Sequence, residues 1–111
     1  PGPAPAPSLS EAERISLAQR YGAEVRAAIA REKRYPRDAR RRRQEGVARL
    51  SVSLGRDGAL LAARLAESSG SPPLDEAALA AARAVVRFPA APEALPGERF
   101  EFRVPIAFRL R

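Results

Sequence analysis

The chain contains no cysteine, histidine, methionine or tryptophan. Without cysteine or histidine there is no thiol nucleophile, no Ser–His–Asp triad, no ordinary zinc site and no haem ligand pair. A protein without thiols tolerates either redox compartment, so the missing cysteine does not choose one. Aromatic residues make up only 5% of the sequence, and much of the 45% apolar share is alanine, which buries little area. A core must therefore come from a limited set of Leu, Val, Ile and Phe. No apolar run approaches the roughly 20 residues that a membrane-spanning helix needs. The start at Pro1 shows neither the basic stretch nor the apolar stretch of a signal peptide, and PGPAPAPS reads as the tail of a longer spacer.

Lysine is almost missing too. Lys33 is the only one, so arginine carries nearly all of the net charge of +7. Such a balance attracts nucleic acid, anionic lipid or acidic partners. The plainer reading is a GC-rich genome that writes arginine wherever lysine would serve. Nucleic-acid binders interleave aromatics or glycines with their basic residues, to stack bases or approach phosphates. This chain does not, so nucleic acid is not expected as a partner. No acid/base or metal constellation is visible either. The expectation is a binding module without cofactor, not an enzyme. At 111 residues it is one domain with a shallow two-layer core.

Pro1 to Pro7 alternate Pro with Ala or Gly, and residues 1–9 read as a disordered, polyproline-like spacer remnant. The domain proper is expected over 10–111. Ser10 and Glu13 form a capping-box pattern, and Ala18, Tyr21, Val25, Ala28 and Ile29 then recur at helical spacing. That predicts a helix over 10–33, ended by Tyr35-Pro36. A short helix over 36–44 with Pro36 as its first residue follows, containing Arg40-Arg41-Arg42-Arg43. Four consecutive helical residues fan around a turn, so they make no single basic face.

Gly46 opens a strand over 46–55, in which Ala48, Leu50, Val52 and Leu54 alternate with Val47, Arg49, Ser51 and Ser53. Asp57-Gly58 is a hairpin signal. It leads into a strand over 59–68 whose broken alternation at Leu60-Leu61 calls for a β-bulge near Leu61-Ala62. A loop with Ser68-Ser69-Gly70 precedes a helix over 74–86, with Asp75 and Glu76 in its first turn. The last strand, over 100–110, is the clearest. Phe100, Phe102, Val104, Ile106, Phe108 and Leu110 point one way, and Pro105 interrupts the other phase.

A set of pieces in this order carries a family resemblance. They are Tyr35-Pro36 with Ala39, Gly46 opening a strand, Asp57-Gly58, Ser68-Ser69-Gly70, Leu74-Asp75-Glu76-Ala77-Ala78, Phe88-Pro89, and Val104-Pro105-Ile106 with Phe108. Over about Tyr21 to Leu110 the chain resembles the TonB C-terminal family. The arginine run and the alanine-rich third helix are heavier than the family pattern. A TolA-like C-terminal domain for envelope integrity, and a basic nucleic-acid-binding module, are the competing readings. The Tyr-Pro and Leu-Asp-Glu-Ala-Ala pieces favour TonB.

The resemblance implies a periplasmic domain of a protein anchored in the inner membrane by a helix that this chain lacks. It implies binding to the TonB box of outer-membrane receptors, and coupling to an ExbB–ExbD complex that supplies proton-motive energy for siderophore or cobalamin uptake. The expected fold is α+β, with helices on one face of a three-stranded antiparallel sheet in the order 2-1-3. A tight hairpin and a right-handed return through a helix require that order. The third strand is then an edge, as Pro105 demands. Backbone groups alternate sides, so Glu101, Arg103, Pro105, Ala107 and Arg109 are the candidates to offer an extended peptide a pairing edge. Arg37, Arg40 and Arg41 are candidates for electrostatic contact with a receptor plug. The isolated domain is expected to be a monomer or a weak dimer.

Overall fold

A computed structural model describes residues 9–110. The expected disorder of 1–9 lies outside the described residues except for Leu9, which is half-buried. The order of elements is α1 (Glu11–Glu32), α2 (Arg37–Arg41), β1 (Gly46–Gly55), β2 (Leu60–Glu67), α3 (Pro72–Ala84) and β3 (Arg99–Phe108). The sheet is three-stranded in the order β2-β1-β3, and β1 is antiparallel to both neighbours. α3 lies against β1 and β2, and α1 lies against β3 and α3. The fold is thus the two-layer α+β arrangement expected from the sequence.

Ser10 caps α1 as its pattern predicts. Its hydroxyl accepts from the Glu13 amide at 3.1 Å, and the Glu13 carboxylate accepts from the Ser10 amide at 3.2 Å. The two bonds satisfy two amides that the first turn leaves without helical partners. The buried stripe is Tyr21, Val25, Ala28 and Ile29, with Leu17 packed against it. Ala18, expected on that stripe, is exposed. The line Tyr21–Val25–Ile29 runs at spacings of four, and its extension toward the N-terminus is Leu17.

Two helix spans differ from expectation. α2 covers Arg37–Arg41 instead of 36–44. Pro36 sits just before it as the cap, with extended backbone, and Arg43 turns left-handed at φ 55. The helix therefore closes after little more than one turn. α3 begins two residues earlier than expected, at Pro72, with prolines in its first two positions. Those positions have amides without helical acceptors, so prolines cost nothing there. It ends at Ala84, where Val85 turns extended, instead of at Val86. Val86 is fully exposed, and Val85 only packs at the margin of the core. β2 and β3 span Leu60–Glu67 and Arg99–Phe108, within one or two residues of 59–68 and 100–110. Leu110 lies beyond the pairing.

β1 presents Ala48, Leu50, Val52 and Leu54 to the helices, all fully buried. Opposite Leu54 stands Leu60, while Ser53 faces Ala62. Leu61 is thus the extra residue of a β-bulge, turned out to solvent, and Leu60 keeps its place over the core. Ala66 is a second extra residue, between partners Leu65 and Glu67. β3 pairs with β1 without interruption from Gly46↔Phe108 to Gly55↔Arg99. Val104, Ile106 and Phe108 complete the core, with Phe100 and Phe102 packed at its rim.

Two devices hold the Pro-rich connection between α3 and β3. The Phe88 carbonyl crosses so close to Gly58 that a Cβ there would stand 2.2 Å from its oxygen, and Gly58 is itself left-handed at φ 88. Arg56, beside this turn, spreads its guanidinium over the connection. It donates to the carbonyls of Gly97 (2.7 Å), Pro92 (3.3 Å) and Leu95, and its charge lies over the Phe100 ring. The Arg56 carbonyl accepts from Ala91 at 2.9 Å. The hairpin turn therefore serves as the mount for the segment that delivers β3 to the edge.

Gly58→Ala carries both the left-handed penalty and a collision with main chain that has no room to move. The expected cost is about 3 kcal/mol or more, read as a fall in the urea midpoint without a change in slope.

The open edge of β3 and the arginine cleft as candidate functional site

β1 is consumed on both sides, so β3 keeps one unpaired edge. Pro105 stands opposite Arg49 in the register. Strand parity puts Glu101, Arg103, Pro105 and Ala107 in one backbone set and Phe102, Val104 and Ile106 in the other. Pro105 has no amide to give to β1, which fits a set turned toward the open side. The Ala107 carbonyl, in that same set, accepts from the Lys33 ammonium at 2.6 Å. The side chains of Glu101, Arg103 and Pro105 are exposed and that of Ala107 is half-buried. Arg109, the fifth candidate, falls beyond the last paired residue of β3.

α1 runs along the inner side of this strand. The Tyr21 ring meets Phe100 and Phe102 edge-on, at 5.7 and 5.3 Å between centroids, and its hydroxyl donates to the Pro89 carbonyl at 2.8 Å. Burial, with the nearby Glu24 carboxylate, pushes the Tyr21 phenol above its ordinary range, against the pull of Arg56. At the other end Tyr35 meets Phe108 edge-on at 5.5 Å, and its hydroxyl donates to the Gln44 carbonyl. The apolar half of β3 is thus clamped at both ends by tyrosines.

On the face away from the helices, Arg49 pairs with Glu67 at 3.1 Å and Arg99 with Glu101 at 3.5 Å. The Ser53 hydroxyl donates to Glu101 at 3.3 Å and accepts from Arg99 at 3.2 Å. Glu101 therefore already has partners on its own sheet.

The arginines of α2 and the turn after it are arranged differently from the expected fan. Because the helix closes after Arg41 and Arg43 turns left-handed, Arg40, Arg41 and Arg43 come to line one open cleft of about 610 Å³, together with Arg109 and Leu110. Arg109 thus lines this cleft, one residue beyond the end of β3. Arg37 does not line the cleft. Arg41 holds Asp38 at 2.6 Å in a well-exposed pair, and Arg40 lies over the Tyr35 ring. An exposed pair of this kind contributes only about 0–1 kcal/mol.

One polar cluster was not legible as such in the sequence. Asp75, expected as a helix-dipole residue, is buried in the fourth position of α3 and binds the preceding loop. Its carboxylate accepts from the Ser69 amide at 2.8 Å, the Ser69 hydroxyl at 2.7 Å and the Ser68 hydroxyl. Burial by itself would raise the Asp75 pKa, but the bonds from Ser68 and Ser69 outweigh it and hold the group below its usual range. Ser69 in turn passes over Gly46, where a Cβ would lie 2.6 Å from the Ser69 carbonyl oxygen. The Ser-Ser spacing to an acid seven and six residues on is the only trace of this cluster in the sequence.

Residues 31–110 match the family described as Gram-negative bacterial TonB protein C-terminal. The chain belongs to the TonB C-terminal family. It is 37% identical over 90 residues to Protein TonB of Pasteurella multocida, covering 81% of this chain and 34% of that protein. It is 41% identical over 59 residues to Protein TonB of Haemophilus influenzae, covering 53% of this chain and 22% of that protein. The chain thus spans about a third or less of the curated relatives it matches. Among solved structures, the TonB C-terminal domain of Helicobacter pylori (residues 179–285 of that protein) has the same fold. It gives a TM-score of 0.72 at 24% identity, covering 95% of this chain and 98% of that one. The HasB C-terminal domain matches at TM-score 0.55 and 31% identity, covering all of this chain and 90% of that one. A TonB-type role and a periplasmic type of domain follow from this membership, and no helix among the described residues is long and apolar enough to cross a membrane.

Replacing Asp75 by Asn leaves one acceptor where the loop presents three donors. The expected cost is about 1–3 kcal/mol near neutral pH. The folded-state pKa is depressed, so the wild-type advantage is complete above the usual value near 3.8 and is lost as pH falls below it. Urea titrations of both proteins at pH 7 and in the acid range check this: the two stabilities should converge in acid.

Proposed function

We propose that this domain grips the TonB box of outer-membrane receptors by adding it as a fourth strand to the open edge of β3. In the whole protein the domain would sit in the periplasm, tethered by an inner-membrane anchor. An ExbB–ExbD complex would drive it with proton-motive energy for siderophore- or cobalamin-type uptake. The domain performs no chemistry itself in this reading; it transmits force. Family membership supports the general role. The observation that carries the finer one is the edge itself: β3 has one free side, and Pro105 fits only if its backbone faces that side.

Backbone pairing makes little demand on peptide sequence, which suits a module that serves several receptors. Each bond contributes about 0.5–1.5 kcal/mol net, so a short segment gives a reversible, micromolar-class grip. A pull along the strand loads the bonds in shear, all together. The cleft of Arg40, Arg41, Arg43 and Arg109 adds attraction for carboxylates on the receptor plug. Exposed charges of this kind act more on the rate of encounter than on the strength of the grip. Arg37, outside the cleft, adds to the same field with less focus. In isolation the domain would be a monomer or a weak dimer, because Pro105 blunts the edge against self-pairing.

Arg103→Pro tests the edge. Arg103 is exposed and belongs to the same backbone set as Pro105, so the variant should stay folded with its thermal midpoint within a few degrees of wild type. It should lose at least about tenfold in affinity for a synthetic TonB-box peptide, through the lost amide and the displaced strand. A folded Arg103→Pro domain that binds the peptide normally would move the grip elsewhere, most directly to the arginine cleft.

A further inference from the structure

The open edge of β3 is not equally open along its length. Its outward backbone set runs through Glu101, Arg103, Pro105 and Ala107. Glu101 and Arg103 each have both an amide and a carbonyl to offer. Pro105 has only a carbonyl. The Ala107 carbonyl is already taken by Lys33, whose ammonium approaches to 2.6 Å. The same ammonium lies 5.6 Å from the centroid of the Phe108 ring, the next residue. Lys33 is the C-cap residue of α1, with extended backbone, and its own amide is bound to Ala30. Its root is therefore fixed by the end of the helix, and its long stem spans from the helix layer to the edge.

We infer that Lys33 is a specificity-determining residue of the β3 edge: with Pro105 it closes the C-terminal half, so that an incoming strand pairs at Glu101 and Arg103 and stops before Ala107. This rests on the strand-addition reading of the edge. The chemistry of the side chain suits the task. An ammonium on a flexible stem satisfies a carbonyl that would otherwise invite another backbone, and it presents charge where a second copy of this chain would pair. No other lysine occurs among 111 residues. The consequence for a peptide partner is a fixed register: its paired segment is short and centred opposite Glu101–Arg103. Residues beyond it leave the sheet before Ala107 instead of following β3 to its end.

The test uses Lys33→Met, which keeps most of the apolar stem over Phe108 and removes the donor, and Lys33→Arg, which restores a donor. The probe is a ten-residue synthetic peptide carrying the TonB box of an outer-membrane receptor, added to the whole domain. Amide exchange at Glu101, Arg103 and Ala107 is followed by NMR, alongside the peptide Kd. Expected for wild type is protection at Glu101 and Arg103 with Ala107 still exchanging. In Lys33→Met, protection should extend to Ala107, and the peptide should bind about two- to tenfold more tightly through the freed carbonyl and its neighbouring amide. Lys33→Arg should return to the wild-type pattern. Protection of Glu101 and Arg103 with the same register and affinity in wild type and Lys33→Met would overturn the role of Lys33 while leaving strand addition intact. Peptide binding with no protection at any of the three amides in any variant would overturn strand addition, and the role of Lys33 with it.

Discussion

β1 is the constraint on which the rest depends. It is hydrogen-bonded on both sides and covered on one face, with Ala48, Leu50, Val52 and Leu54 wholly buried. Once it is central, the remaining two strands are edges. β2 manages its edge with two bulges, which place Leu61 outward and add twist. β3 keeps an uninterrupted ladder to β1, so its outer side carries no bulge, although Pro105 lacks an amide and the Ala107 carbonyl is taken by Lys33. In the proposed reading, this asymmetry between a bulged edge and an unbulged one favours β3 over β2 as the edge that takes another strand.

Apart from the Ser53–Glu101–Arg99 contacts on the outer face, the side chains that fix β3 act through its inner side or its ends. Tyr21 and Tyr35 clamp the phenylalanines from the helix layer, and Arg56 organises the connection by which the strand arrives. None of these groups occupies the outer row. The apolar phase of the strand is buried for the fold, and Glu101, Arg103 and Pro105 of the other phase are exposed. Lys33 is the one described side chain that crosses from the first role into the second.

The pieces that marked the family in sequence are not independent signals. They turn out to be halves of contacts. Gly58 is where Phe88-Pro89 crosses, Gly46 is where Ser69 crosses, Asp75 binds Ser68 and Ser69, and Tyr35 packs on Phe108. Each piece is commonplace in its own segment, since Asp-Gly turns and Tyr-Pro breaks occur everywhere. Their joint presence is specific because each one is needed by another piece in a different segment of the chain. That is also why a small, alanine-rich core suffices: close main-chain crossings let helices and loops sit tightly on the sheet.

What the sequence determined by itself are the features that short-range physics controls. The capping box at Ser10, the period-two phase of β1 and β3, the bulge at Leu61 and the edge position demanded by Pro105 all follow from local chemistry and from a chain that must return through a helix. Helix ends were less legible, because Pro36, Pro72 and Pro73 are each compatible with more than one position at a helix start. Only the tertiary structure decided the rest. It gave Asp75, which does lie in the first turn of α3, the further task of binding a loop, and gathered Arg40, Arg41, Arg43 and Arg109 around one cleft. It also brought Lys33 to Ala107 across 74 residues of chain. Each depends on where a long polar side chain finds a partner, and no periodicity in a sequence records that.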